Sequence, residues 1–185
     1  GAYSRRGSIP NQVSIDERPA IVDSRRRFGD WEGDTVIGKG HRGALVTLVE
    51  RKSLYTVIRA VLNKTAEAVR DAVVDGLTPY IDWVHTITYD NGREFADHEG
   101  MASDLDARIY FAHPYASWER GLNENTNGLI RQYFPKHRDL TTVTKREIEK
   151  AMDKLNHRPR KSLGFRTPYE VFFNTRTSLT VALQS

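Results

Sequence analysis

Between residues 30 and 62 the chain carries three short runs dense in β-branched and apolar residues: DWEGDTVIG (30–38), ALVTLVE (44–50) and LYTVIRAVL (54–62). Such runs, bounded by Gly, Lys and Ser, predict strands. The second and third are separated by Arg51-Lys52-Ser53, a hairpin-length link, and are expected to pair antiparallel. The period then changes. Ala66, Val69, Val73 and Leu77 recur at helical spacing behind Thr65, a good N-cap residue, which predicts a helix over 65–77 with Gly76 near its end. VHTITYD (84–90) returns to strand, a polar helix-like stretch follows near 96–105, and ARIYFA (107–112) gives a fifth strand. Two further helices are predicted over 117–133 and 144–156. Three antiparallel strands followed by alternating helices and strands form an α/β plan layered around one sheet. Residues 1–27 hold Arg5-Arg6, Pro10, Pro19 and Arg25-Arg26-Arg27 without a sustained period and read as a basic arm or linker.

At 185 residues the chain suits one compact domain with short appendages. It has no cysteine, which excludes disulfide frameworks, thiolate zinc sites and cysteine nucleophiles, and fits a reducing cytoplasm. No apolar run approaches the roughly 20 residues needed to span a bilayer, so no membrane partner is expected. The opening Gly1-Ala2-Tyr3, without an initiator Met, reads as a tag scar on a fragment of a longer protein. The net charge of +4 conceals a segregation: residues 1–27 carry +3, residues 28–124 carry −6 and residues 125–166 carry +7. Basic flanks suit a polyanion, although solvated charged faces give the same pattern.

Three acids in this pattern invite chemistry. ITYDNGREF (87–95) contains Asn91-Gly92, a strong hairpin signal, yet the following REFADHEGMASDL is helix-like and offers no second strand. Asp90 is then expected at a strand-to-helix junction on the rim of the sheet, where α/β folds place their ligands. In the first strand Asp30, Glu32 and Asp34 share one face, because side chains alternate. An exposed edge strand would tolerate all three; otherwise they need partners, and Asp34, beside Thr35-Val36-Ile37, is the best candidate for an inward-held ligand. In SWERGLNENTNGLIRQYF (117–134), Leu122, Thr126, Leu129, Ile130 and Tyr133 gather on one helix side, while Glu124 falls on the opposite stripe with Gly121, Gly128 and Arg131. Glycine in a helix interior costs about 1 kcal/mol relative to Ala, so two flanking a Glu suggest close approach of a ligand or a backbone; a solvated surface helix is the plain alternative.

DWEGDTVIG, ITYDNGREF and HPYASWERGLNENTNGLIRQYFPK, followed by LNHRPRKSLGFRTPYEVF, resemble the catalytic domain of bacterial insertion-sequence transposases of the IS-thirty family, within the DDE transposases and retroviral integrases. The resemblance covers about residues 28–173. It implies a ribonuclease H-like fold, a five-stranded mixed sheet with its first three strands antiparallel, flanked by helices. The implied boundaries are a basic arm over 1–27, a catalytic domain over 28–174 and a tail over 175–185. Matched residue by residue, the catalytic and metal-binding triad is Asp34, Asp90 and Glu124, with 33 residues between the last two. The implied activity is metal-dependent hydrolysis at transposon ends, followed by attack of the freed 3′-OH on target DNA in a homo-oligomer assembled on DNA. Transposon-end recognition by an upstream helix-turn-helix is expected to lie outside this chain, and the implied setting is a bacterial cytoplasm, at the nucleoid.

The chemistry explains why such acids would cluster. Two carboxylates about 4 Å apart repel by roughly 4 kcal/mol at an effective dielectric near 20, so three together need cations. Hard oxygen ligands without Cys favour two Mg²⁺ or Mn²⁺ ions, Asp34 bridging both by the resemblance. Asn91, Arg131, Lys136, His137, Arg138, Arg158, Arg160 and Lys161 are the expected DNA contacts. Tyr115 and Trp118 are expected in the core rather than stacked on a base, and His113 and His137 as ordinary loop histidines. Two other readings remain: a ribonuclease H-like or metal-free hydrolase, or a DNA-binding module with idle acids.

Overall fold

The computed structural model describes residues 9–116, 119 and 121–174. The elements run α1 (Ala20–Ser24), β1 (Asp30–Ile37), β2 (Ala44–Glu50), β3 (Thr56–Val61), α2 (Ala66–Leu77), β4 (Thr86–Tyr89), α3 (His98–Leu105), β5 (Arg108–Phe111), α4 (Gly121–Ile130) and α5 (Lys145–Asn156), with a last helix over 168–174. The sheet has five strands in the order β3-β2-β1-β4-β5. β1, β2 and β3 pair antiparallel, whereas β4 joins β1 and β5 joins β4 in parallel. This is the mixed sheet expected from the sequence.

Period-two alternation gives the sheet two buried faces. On one, Trp31, Leu48, Val57, Ile87 and Tyr89 pack with Val69, Val73 and Leu77 of α2 and Met101 and Leu105 of α3. Phe172, from the last helix, seals this side: its ring stacks on Tyr55 at 4.8 Å and meets Trp31 edge-on at 6.0 Å. On the other face Val36, Leu45 and Ile58 pack with Ile130 of α4 and Ile148, Ala151 and Leu155 of α5. The acids of β1 belong to this second face, because Asp34 alternates with the first-face residues and stays in step with Val36. At Gly33, between them, a Cβ would stand 2.2 Å from Tyr89 Cε1, so only glycine lets β4's tyrosine lie flat there.

Both outer strands are covered. On β3, Asn156 accepts from Thr56 N–H and donates to Thr56 O, both at 2.9 Å, in place of a neighbouring strand. Residues 9–27, expected as an arm, lie against β5: Ser14 bridges Phe111, and Phe111 N–H donates to Val13 O at 2.9 Å. Ile9 and Val22 are buried, and Arg18 reaches Thr88 Oγ1 at 3.0 Å. Short apolar and arginine anchors hold this segment, which periodicity could not register. The tail over 175–185 lies outside the described residues. Among them, no helix is long and apolar enough to cross a membrane.

Candidate functional site

The parallel register of β1 and β4 pairs Glu32 with Thr88. Two residues beyond that pair come Asp34, still within β1, and Asp90, just past the end of β4, on chains that lie about 4.8 Å apart where they pair. Asp90 follows the last residue of β4, and its Oδ1 accepts from Gly92 N–H at 2.8 Å. That bond closes an Asx turn and leads into a 3-10 turn at Arg93–Phe95 and then α3. Neither Asn91 nor Gly92 has the positive φ that a tight hairpin turn requires, so the hairpin reading falls on geometry as well.

Of the three acids on β1, two are held by internal cations. Asp30 is clamped by both Arg27 nitrogens at 2.9 Å and accepts from Thr86 Oγ1 at 2.8 Å. Glu32 is buried and accepts from Arg51 Nη1 at 3.0 Å. Burial pushes the Arg51 guanidinium down from its ordinary pKa, against the pull of Glu32, and Arg18 and Arg25 push it further down. Asp34 differs in its surroundings: it is half-buried, Oδ1 accepts from Thr35 N–H at 2.8 Å, and Oδ2 accepts from Asn127 Nδ2 at 2.9 Å.

Asn127 supplies the link to α4, which packs on β1 and β2. Its Oδ1 accepts from Thr47 Oγ1 at 3.3 Å, so one amide spans two strands. Glu124 lies one turn earlier on the same helix and is exposed. A Cβ at Gly121 or Gly128 would meet nothing within 4 Å, so among the described residues no neighbouring backbone explains the glycines beside Glu124. Sequence reasoning passed over Asn127; its position three residues after Glu124 was the available signal. Asn127→Ala is expected to lose about 1.5 kcal/mol in urea unfolding, since it removes a hydrogen bond to a charged group, and Asn127→Asp to lose more by facing Asp34 with like charge. Equal stability of all three proteins would contradict the role given to this amide.

Among the described residues, no three His, Cys, Asp or Glu side chains converge closely enough to hold a metal ion as they stand. Asp34 and Glu124 sit on β1 and α4, which pack together, and Asp90 follows β4, the parallel neighbour of β1. His113 is tied elsewhere: Nε2 meets Asp16 Oδ2 at 2.9 Å and Nδ1 meets Glu119 Oε2 at 3.0 Å. The Asp16 bond raises the imidazole above its ordinary pKa. The ring therefore clamps the N-terminal segment to the loop before α4.

The eight expected DNA contacts separate into classes. Lys136, His137, Arg158 and Lys161 are exposed. Arg138 forms a two-pronged pair with Glu147, at 3.0 Å through Nη2, which raises its pKa. Arg131 is half-buried and donates to Ile37 O at 3.0 Å, and burial lowers its pKa. The remaining two hold bonds within the fold. Arg160 is buried and donates to Leu155 O at 3.0 Å; Asn91 donates to Ala112 O at 2.6 Å and accepts from Gln12 at 2.8 Å. Both side chains bind segments of the fold together; Arg160 is buried, whereas Asn91 is half-buried and lines a hollow with Asp90. Tyr115, expected in the core, is 100 % exposed in a left-handed conformation (φ 61°), in a 420 Å³ hollow shared with Asp90. Trp118 lies outside the described residues.

No family model matches the chain. Individual proteins do. Over 180 residues, 97 % of its length, it is 50 % identical to the transposase for insertion sequence element IS4351 of Bacteroides fragilis, of which it covers 55 %. It is 42 % identical over 165 residues to transposase InsI for insertion sequence element IS30C of Escherichia coli K12, covering 89 % of this chain and 43 % of that protein. The chain thus spans about half the length of the curated relatives it matches. In three dimensions it resembles the catalytic core domain of BIV integrase, with a TM-score of 0.63 at 21 % identity over 82 % of this chain and 97 % of that one. The catalytic core domain of HTLV-2 integrase, solved in complex with magnesium, gives a TM-score of 0.60 at 20 % identity, over 78 % and 95 % of the two chains. At such identities the likeness establishes the fold, that of an integrase core.

Proposed function

We propose that this chain belongs to the insertion-sequence transposases and is the catalytic core of its transposase, cutting DNA at the ends of a mobile element and joining the 3′-OH to target DNA. The observation that carries this reading is the parallel pairing of β1 with β4, which supports Asp34 and Asp90 as neighbours near the rim of the sheet, with the Glu124 helix packed on β1. Hard carboxylate oxygens on rigid strands fit Mg²⁺ or Mn²⁺. Asp34 and Asp90 would hold such ions, with Glu124 of α4 as the third carboxylate of the set. When bound, two such ions supply Lewis acidity to the attacking and leaving oxygens of an in-line phosphoryl transfer.

The chain's own groups orient this site. Asn127 and Thr47 fix the rotamer of Asp34, and the Asx turn fixes Asp90. Arg27 and Arg51 neutralise the two other β1 acids, so negative charge accumulates toward Asp34 and not along the whole strand. Exposed Lys136, Arg158 and Lys161 lie where they can neutralise phosphates, and Tyr115 offers a ring beside Asp90. The active form is an oligomer assembled on DNA, in keeping with the simian T-cell lymphotropic virus intasome, a chain of which shares this fold at a TM-score of 0.63.

Mn²⁺ titration followed by calorimetry tests the site directly. Binding at millimolar metal or tighter is expected, and lost in Asp34→Asn. Absence of binding, or nicking that persists in EDTA, would favour a metal-free hydrolase; metal-independent DNA binding without nicking would favour an idle module.

A further inference from the structure

Between α5 and the last helix the chain forms a closed loop over residues 158–166. Arg160 N–H donates to Arg166 O at 3.0 Å, and Phe165 N–H and Leu163 N–H return to Arg160 O at 2.9 and 3.0 Å. The buried Arg160 side chain pins the loop to the end of α5 through Leu155 O. This framework forces two successive residues, Gly164 (φ 63°) and Phe165 (φ 66°), into the left-handed region. Glycine accepts that conformation readily; phenylalanine is strained in it. The strain does not bury the ring, which remains 70 % exposed. A large apolar side chain held outward by a rigid, strained backbone is shaped for a partner.

The surroundings identify the partner. Arg158, Lys161 and Arg166 are exposed in the same loop, within the segment that carries +7. Ser162 of the loop lines a cleft of about 660 Å³ with Gly121, Leu122 and Asn125 of α4, which places the loop beside the helix bearing Glu124. Arg158 reaches Gln132, just past that helix, at 3.3 Å. An aromatic ring among cations, next to a candidate phosphoryl-transfer site, matches the pairing of base stacking with phosphate neutralisation that single-stranded or distorted DNA calls for.

We propose that Phe165 is a stacking contact for a DNA base displaced from the helix, with Arg158 and Lys161 holding the adjoining phosphates. The proposal rests on the reading that this chain acts on DNA, and its test keeps the two apart. Fluorescence anisotropy in EDTA would compare the whole chain on a labelled, fully paired duplex and on the same duplex with one unpaired thymine. The wild-type chain is expected to prefer the unpaired base. Phe165→Ala is expected to lose about tenfold in affinity for that DNA with an unchanged salt slope, and Phe165→Trp to retain it. Phe165→Asn, which suits a left-handed backbone, should match the Ala variant and guards against a folding artefact. Lys161→Ala should instead flatten the log–log salt slope by about 0.9. Unchanged affinity in both Phe165→Ala and Phe165→Asn would overturn the proposal. So would a loss traced by light scattering to broken self-association, which would make the ring a protein contact. Failure of the wild-type chain to bind either duplex would overturn the DNA reading itself.

Discussion

Asp90→Asn is expected to abolish metal-dependent DNA nicking and strand transfer, by about a thousandfold or more, while leaving the fold and the affinity for DNA intact. The magnitude follows from the several kcal/mol of transition-state stabilisation that a bound metal supplies, at 1.36 kcal/mol per factor of ten. The selectivity follows from local geometry. Asp90 uses Oδ1 to accept from Gly92 N–H, and the amide oxygen of Asn accepts the same bond, so the turn survives. Asp34→Asn is a less clean variant, because an introduced NH₂ at the Oδ2 position would face the Asn127 NH₂ that now donates there. Single-turnover cleavage of end-sequence DNA, measured alongside anisotropy and a thermal melt, checks the result. Activity within tenfold of wild type would remove Asp90 from the proposed catalytic set.

Arg51→Met is expected to destabilise the fold by about 3 kcal/mol or more in urea unfolding. The Arg51 and Glu32 side chains are 7 % and 1 % exposed and bond at 3.0 Å. Deleting the cation removes a hydrogen-bonded charge partner from a carboxylate on the buried face of β1, the situation in which broken buried pairs cost several kcal/mol. Replacing both partners, Glu32→Leu with Arg51→Met, should recover most of the loss, since an apolar pair of similar volume avoids desolvating charge. A single variant as stable as wild type, or a double variant no better than the single, would show that the ion pair is not what makes this site costly to disturb.

Much of the fold was legible because its elements are locally consistent. β1, β2 and β3 read as strands from β-branched density, and α2 and α5 from helical spacing behind Thr65 and Thr144, whose hydroxyls cap Ala68 N–H and Glu147 N–H. The expected helix over 117–133 is described as Gly121–Ile130, and its buried residues are Asn123, Thr126 and Ile130. Periodicity put Thr126 and Ile130 on that face with Leu122, Leu129 and Tyr133 but missed Asn123, because it weights apolar residues and cannot see a polar side chain turned toward the sheet. The N-terminal segment was legible only in composition. Its anchors are single residues, such as Ile9, Arg18 and Val22, which leave no period.

By itself the sequence determined the strand and helix order, the absence of a second strand after Asn91-Gly92, and the three acids worth considering on β1. Those are properties of neighbours along the chain, set by propensity, capping and alternation. It favoured Asp34 but could not say what satisfies Asp30 and Glu32, nor tell Arg158 from Arg160, nor place Tyr115 and Phe165 outside. Each of those depends on what a side chain meets from a distant segment: Arg27 and Arg51 claim the first two acids, and Asn127 of α4 approaches the third. Only the tertiary structure brings those partners within bonding distance, and a charge's role is decided by its partner.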